Sequence, residues 1–304
     1  MSDHPQFSVV IPTYNRGHLL TGAVNSVLAQ SCRDFELLII DDGSTDNTRE
    51  IVAQIDDHRV RCIMRKNGGG SAARNTGIDA AKGKFIAFLD ADDHFTPNHL
   101  ANALPFLASA PNTCIFTRII VNRGHGITFL KPPRAPRTNE HIADYLLRDR
   151  GFVQTSSLIV PTELARMVRY DEKLTLGDDT DFAIRLVHTG ARLRMLDEPG
   201  AIWNDYWSPN RLSGKHDPDA RLAWLDRIKG LLPRRAFLAD QGWHVAKAYA
   251  RQGRLLRALG YYLRALFAGC YRPKFALVVF LQIVLPTSTY RKLADNLARR
   301  GLTP

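Results

Sequence analysis

The sequence predicts an α/β fold with a mostly parallel sheet, followed by a C-terminal helical module. Three observations carry this reading. Short β-branched runs alternate with helical spacings through the first hundred residues, a pattern that implies parallel strands with helices on the sheet faces. From about residue 219, four helical patterns follow one another. The charge divides at nearly the same place. Residues 1–215 hold 25 basic and 25 acidic side chains, and residues 216–304 hold 16 and 5. The whole net charge of +11 sits in the last 89 residues, so two domains are expected, 1–215 and 216–304.

The elements are read in order. Residues 7–11 form the first strand, and 18–30 a helix with Leu19, Leu20, Ala23, Val27 and Leu28 at helical spacing. Residues 35–40 and 60–64 are strands, with a helix over 45–55 between them. An Ala-rich helix spans 71–81, a strand 85–89 and a helix 97–107. Residues 114–121 and 152–160 read as strands, separated in part by a Pro-rich loop over 122–139. A helix over 179–188 and a short strand over 193–196 complete the first domain. The second contains helices over 221–232, 243–252, 255–267 and 275–285.

Composition narrows the class. The chain has 304 residues, 45% hydrophobic and 23% charged, which excludes a disordered or collagen-like protein. Cys32, Cys62, Cys114 and Cys270 lie far apart, which argues against a disulfide framework or zinc site and for a reducing compartment. The opening MSDHPQFSVVIP lacks the pattern of a secretory signal. The apolar run 275–285 is far short of the roughly 30 Å hydrocarbon layer. The expectation is a cytoplasmic protein, peripheral on the inner face of the membrane.

Acids cluster where ligands bind in open parallel sheets, beyond the carboxyl ends of the strands. FELLII is followed by Asp41 and Asp42, and FIAFL by Asp90, Ala91, Asp92 and Asp93. One reading is helix capping, but Ser44 or Thr45 and the Thr96-Pro97 pair already supply caps. The other is a hard-cation site: an Asp-X-Asp turn presents two carboxylates, and magnesium or manganese leaves its other positions to phosphate and water.

Asn67-Gly68-Gly69-Gly70-Ser71 joins a strand to the helix that carries Arg74. Such a loop suits an anion, and Arg74 would add a donor fork for phosphate. No Gly-Lys-Ser/Thr follows, which excludes a nucleotide-hydrolysing P-loop. Gly68-x-Gly70-x-x-Ala73, with Asp90 downstream, also fits a dinucleotide fingerprint and leaves a dinucleotide-dependent oxidoreductase as the alternative. Its place in the third strand-helix unit and the clustering of three acids count against that alternative.

Taken together, VVIPTYNRGHLL, FELLIIDDGSTDNT and NGGGSAARNTGIDAAKGKFIAFLDADD resemble the nucleotide-sugar-binding half of the inverting glycosyltransferases of family 2, and LGDDTDFAIRL resembles that family's acceptor-side motif. The resemblance covers residues 5–215. It implies a GT-A type nucleotide-binding α/β sandwich that transfers a sugar from a nucleotide diphospho-sugar, UDP-type, to a saccharide or lipid-linked acceptor in surface polysaccharide or glycolipid assembly. It places Pro12, Thr13 and Tyr14 along the nucleobase and ribose, Asp42 at the base edge, and Gly70 and Arg74 near the diphosphate. Asp90 would approach the ribose or a metal-bound water, and Asp92 would ligate Mn²⁺ or Mg²⁺. Asp179 matches the catalytic base and is expected to be ionised at neutral pH, although acids at a helix start are also ordinary electrostatics. The sequence departs from the family at Tyr206-Trp207. Arg211, Ser213 or His216 would then serve the diphosphate or metal.

The tail interleaves Arg234, Arg235, Lys247, Arg251, Arg254, Arg257 and Arg264 with large apolar residues. A solvated face over a small core is one reading. Docking on an anionic membrane is the other, favoured over nucleic acid by the apolar PKFALVVFLQIVLP segment.

Overall fold

The computed structural model describes residues 4–174, 176–206 and 217–300. The chain divides into two compact units: Met1–Gly124 with Val153–Tyr206, and His125–Phe152 with Trp207–Pro304. Residues 125–152, which a single boundary near 215 would put in the first domain, group with the C-terminal helices.

The strands of the first unit are β1 (Phe7–Thr13), β2 (Phe35–Asp41), β3 (Val60–Met64), β4 (Phe85–Phe88), β5 (His94–Phe95), β6 (Thr113–Asn122), β8 (Leu158–Pro161) and β9 (Arg192–Asn204), with β7 (Thr128–Lys131) in the second unit. Their order across the sheet is β3-β2-β1-β4-β8-β6-β9-β5. β1 runs parallel to both β2 and β4, with Val10 level with Leu38 and Phe88. β3 is parallel to β2, and β9 to β6. β8 is antiparallel to β4 and β6, and β5 to β9. The central strands read as unbroken apolar runs because both faces are covered: Val9, Val10, Ile11, Leu37, Leu38, Ile39 and Ile40 are fully buried.

Helices α1 (Gly17–Leu28), α2 (Thr48–Ala53), α3 (Gly70–Ala80), α4 (His99–Ser109), α6 (Thr162–Val168) and α7 (Asp178–His188) belong to this unit, and α5 (Ile142–Arg148) to the second. α3 packs on β1 so closely that a β-carbon at Gly77 would lie 2.3 Å from Val10 Cγ1.

Several expectations change. Of the strand expected over 152–160, only β8 is strand, and Thr155–Ser157 is a single 3₁₀ turn before it. The short strand over 193–196 extends to all of β9, 13 residues. The β6–β9 register jumps from Thr117↔Leu196 to Arg118↔Pro199, and this irregularity absorbs Asp197 and Glu198. The Pro-rich loop over 122–139 contains β7.

In the second unit, α8 (Pro218–Arg227), α9 (Arg234–Asp240), α10 (Ala246–Arg251), α11 (Leu255–Phe267), α12 (Pro273–Val284) and α13 (Thr287–Arg299) follow in order. A π-helical turn, Gln241–Val245, joins α9 to α10, so the helix expected over 243–252 begins at Arg234. Gln282, the one polar residue within the apolar run 275–285, accepts from Trp243 Nε1 at 2.8 Å. Fully buried Asp240 accepts from Arg221 at 2.6 Å. Burial alone would raise its pKa, but Arg221 and His244 outweigh it and hold the carboxyl below its ordinary value. Among the described residues no helix is long and apolar enough to cross a membrane.

The α3–β1 contact gives a direct test. Gly77→Ala forces a methyl against Val10, itself fully buried, and the expected loss is about 1–3 kcal/mol in urea unfolding. Unchanged stability would show that α3 can lift off the sheet without cost.

Candidate active site

The ends of β1 and β2 are tied together first. Asp42 N donates to Thr13 O at 2.9 Å. Asn15, held at φ 51°, accepts from Thr45 N at 2.7 Å through Oδ1, and its own N–H donates to Ser44 Oγ at 3.0 Å. Asp41 Oδ1 accepts from Ser44 N at 2.8 Å. Asp46, rather than the expected Ser44 or Thr45, accepts from Thr48 N at the start of α2. Thr96 does not cap α4 either; its hydroxyl donates to Pro199 O. Neither Asp42 nor Asp90 is spent on a helix cap. Thr13 is buried and Pro12 half-buried, and Tyr14 stands 47% exposed.

Asp42 is buried and engaged. It accepts from Gly68 N at 3.1 Å and Gly69 N at 2.7 Å and pairs with Arg65. Its place is thus that of an anchor for the glycine loop. Gly69 turns at φ +91°, a conformation that disfavours any side chain, and Gly70 opens α3.

One turn into α3, Arg74 reaches both remaining acid groups. Its Nη2 donates to Asp90 Oδ1 at 2.6 Å, just beyond β4, and its Nη1 to Asp178 Oδ2 at 2.7 Å, at the start of α7. Ser71 Oγ adds a bond to the same Asp178 oxygen at 3.2 Å. The guanidinium also lies over the buried Tyr170 ring at 5.3 Å. Both end nitrogens expected to meet phosphate are thus held by carboxylates. Burial would depress the Arg74 pKa, but Asp90 and Asp178 reverse this and hold it above its ordinary value.

The turn after β4 is built on Asp93. Its Oδ2 accepts from Gln154 Nε2 at 2.8 Å and Ser156 Oγ at 2.7 Å, and its Oδ1 from Asn204 N at 3.1 Å. Ser156 Oγ also accepts from Asp90 N, and Asp92 O accepts from Asn204 Nδ2. Burial, then the charges of Asp90 and Asp92, push the Asp93 carboxyl well above its ordinary pKa. Asp93 is therefore the structural member of the triplet, and Asp90 and Asp92 are half-buried. That donor set suits a hard cation that takes one or two protein carboxylates. No group of three or more His, Cys, Asp or Glu able to hold a metal forms among the described residues.

Asp179 follows Asp178 on α7. Its Oδ1 accepts from Thr180 N at 2.6 Å. Burial, then repulsion from Asp178, push its pKa up to about 7. The expectation of an ionised carboxylate at neutral pH is corrected in direction: burial and the Asp178 charge outweigh the helix end and the Thr180 hydrogen bond and raise the pKa. His216, with Trp207, Arg211 and Ser213, lies outside the described residues. Tyr206 accepts from Asn122 Nδ2 at 2.8 Å.

Sequence reasoning missed Gln154, Ser156 and Asn204 as supports of the acid turn, and Asp178 as the partner of Arg74. A signal was present for the first two: Gln154-Thr155-Ser156-Ser157 interrupts an apolar stretch with four polar residues, all of them buried.

The glycine loop, the acid turn and the start of α7 thus meet through Arg74. The Glycosyl transferase family 2 model matches residues 8–171. The chain belongs to this family. One relative, the amylovoran biosynthesis glycosyltransferase AmsB of Erwinia amylovora, is 28% identical over 265 residues, 83% of this chain and 87% of that protein. The succinoglycan biosynthesis protein ExoW of Rhizobium meliloti is 30% identical over 217 residues, 65% of this chain and 68% of its own. Among solved structures, S. aureus TarS in complex with UDP-GlcNAc superposes with a TM-score of 0.69 at 20% identity, covering 98% of this chain and 92% of that one. The fold is the GT-A type with added C-terminal helices, and the chain is a glycosyltransferase. Nothing in these likenesses supports the dinucleotide-dependent oxidoreductase.

Two measurements probe this assembly. Arg74→Met leaves Asp90 and Asp178 without their shared cation; the expected loss is about 3 kcal/mol in denaturant unfolding, and stability equal to the native chain would show that the bridge is dispensable. Asp179 binds its proton more tightly folded than unfolded, so its ionisation costs stability as pH rises from about 4 through 7. Asp179→Asn should therefore stabilise the metal-free protein at pH 8 by on the order of 2 kcal/mol, with the gain fading by about pH 4. Thermal melts at the two pH values check this.

Proposed function

We propose that the chain is an inverting glycosyltransferase that moves a sugar from a nucleotide diphospho-sugar, UDP-type, to an acceptor hydroxyl in surface polysaccharide or glycolipid assembly. The observation that carries it is the Arg74 bridge, which brings the acid turn at Asp90–Asp93 beside the Asp178–Asp179 pair. The TarS complex with UDP-GlcNAc and the polysaccharide-building relatives support the donor and the pathway class.

The residues divide the work. Tyr14 stacks on the nucleobase, with Pro12 and Thr13 beneath the ribose. Asp42 and Gly70 shape the loop that faces the diphosphate, and Arg74 holds the acids around it. Asp92, with Asp90 directly or through water, would hold Mn²⁺ or Mg²⁺; when bound, such an ion neutralises the diphosphate and favours its departure. Asp179 takes the proton of the acceptor hydroxyl as that oxygen attacks the anomeric carbon, while the bond to the diphosphate breaks on the opposite face. One base and one displacement give inversion. A pKa of about 7 suits this task, since a general base works best near the operating pH. A lipid-linked acceptor at the inner membrane face accounts for the basic C-terminal helices.

The test is turnover of UDP-sugars with and without manganese. Asp179→Asn should lower kcat by about 10²–10⁴ with little change in donor KM. In the native enzyme the rate should fall as pH drops below about 7, because the base becomes protonated. Asp92→Ala should abolish stimulation by manganese. Wild-type-like transfer by Asp179→Asn would remove Asp179 from its role.

A further inference from the structure

α11 packs one face into the second unit through Ala258, Tyr262 and Ala265, all buried. Its opposite face carries Leu256 at 89% exposure, Leu263 at 43% and Phe267 at 85%. Together with Gly260 these positions fall at i, i+4, i+7 and i+11, one stripe along a helix. No heavy atom lies within 4 Å of a β-carbon built at Gly260. The neighbouring α12 adds exposed Leu277 at 58% and Phe280 at 36%; Phe280 rests on the packed side of α11, its ring centroid 5.8 Å from that of buried Tyr262. Large exposed apolar residues in such a group mark a surface that meets a partner.

The charge around the stripe selects the partner. Arg257, its guanidinium 4.4 Å from the Tyr249 ring centroid, and Arg264 run along its edge on α11, and Lys274 is the second residue of α12; all three are exposed. Residues 241–304 hold eleven basic side chains and a single acid, Asp295. An apolar stripe edged by arginines, on a helix without an acidic residue, is complementary to an anionic lipid surface: the apolar side chains enter the acyl boundary and the guanidinium groups remain at the headgroups. We propose that the exposed face of α11, with Leu277 and Phe280 of α12, is the docking surface of this protein on an anionic bilayer. The proposal deepens the membrane-side reading of the acceptor and rests on it. It is a contact in the plane of the interface, since no described helix spans a bilayer.

The experiment is co-sedimentation of the full chain with vesicles of phosphatidylcholine, alone or with about one-third phosphatidylglycerol, at low and high salt. The expected result is binding at least tenfold tighter to the anionic vesicles, weakened by salt. Leu256→Glu/Phe267→Glu should reduce it at least tenfold, and Arg257→Gln/Arg264→Gln should remove most of its salt dependence. Native-like vesicle binding by Leu256→Glu/Phe267→Glu overturns the proposal. So does a chain that ignores vesicles and forms a dimer that this variant dissociates, which would make the face a self-association surface. UDP-sugar turnover with a water-soluble acceptor, measured on the same proteins, separates the two readings. Turnover without vesicle binding defeats the docking surface alone, and vesicle binding without turnover defeats the catalytic reading alone.

Discussion

Arg74 lies buried between Asp90, at the end of β4, and Asp178, at the start of α7, within hydrogen-bond distance of both. Three segments separated by 16 and 104 residues in sequence meet at this guanidinium. A buried cation costs free energy unless it is paired, and paired carboxylates repel unless a cation stands between them. Each group therefore tolerates its position because the others are there. The planar fork suits two partners at once, where an ammonium group would serve as a point charge. The position of the glycine loop depends on the same element, since Asp42 fixes Gly68 and Gly69 just before α3 delivers Arg74.

The acids around this bridge are not equivalent, and their differences come from burial. Asp93 is enclosed by Gln154, Ser156 and Asn204 and holds its turn. Asp90 and Asp92 stay half-buried. Asp179 sits where burial and a neighbouring carboxylate bring its titration near neutrality. A stability cost is thus concentrated where the chemistry is assigned, a common trade in active sites. The helical unit handles its own buried acid differently. Asp240 is held low by Arg221 and His244, which closes a structural pair rather than leaving a poised one.

The local pattern was enough for much of the fold and for the identity of the acids. β1, β2 and β4 were legible because a strand buried on both faces must be a short continuous apolar run; β3, an edge strand with Arg61, Cys62 and Met64 exposed, gave a weaker signal. Asp42, Asp90 and Asp92 were legible because they follow such runs directly. β9 was read only over 193–196, and pairing with β6 shows that a register jump carries the strand past Asp197 and Glu198. α5 and α6 escaped because helices of only 7 residues are stabilised by what they pack on, not by their own propensity. Gln282 looked like a flaw in an apolar segment until Trp243 supplied its donor.

The sequence by itself determined the family, the strand-helix order of the nucleotide-side half, the position of the acids beyond their strands and the concentration of positive charge in the tail. These depend on residue type and spacing, which the chain carries locally. Tertiary structure alone decided that Arg74 joins Asp90 to Asp178, that Asp42 anchors the glycine loop, that Asp93 is structural, and that Asp179 titrates near neutrality. Those outcomes depend on which charges share a low-dielectric volume and how far water is excluded from it, and spacing along a chain does not encode either quantity.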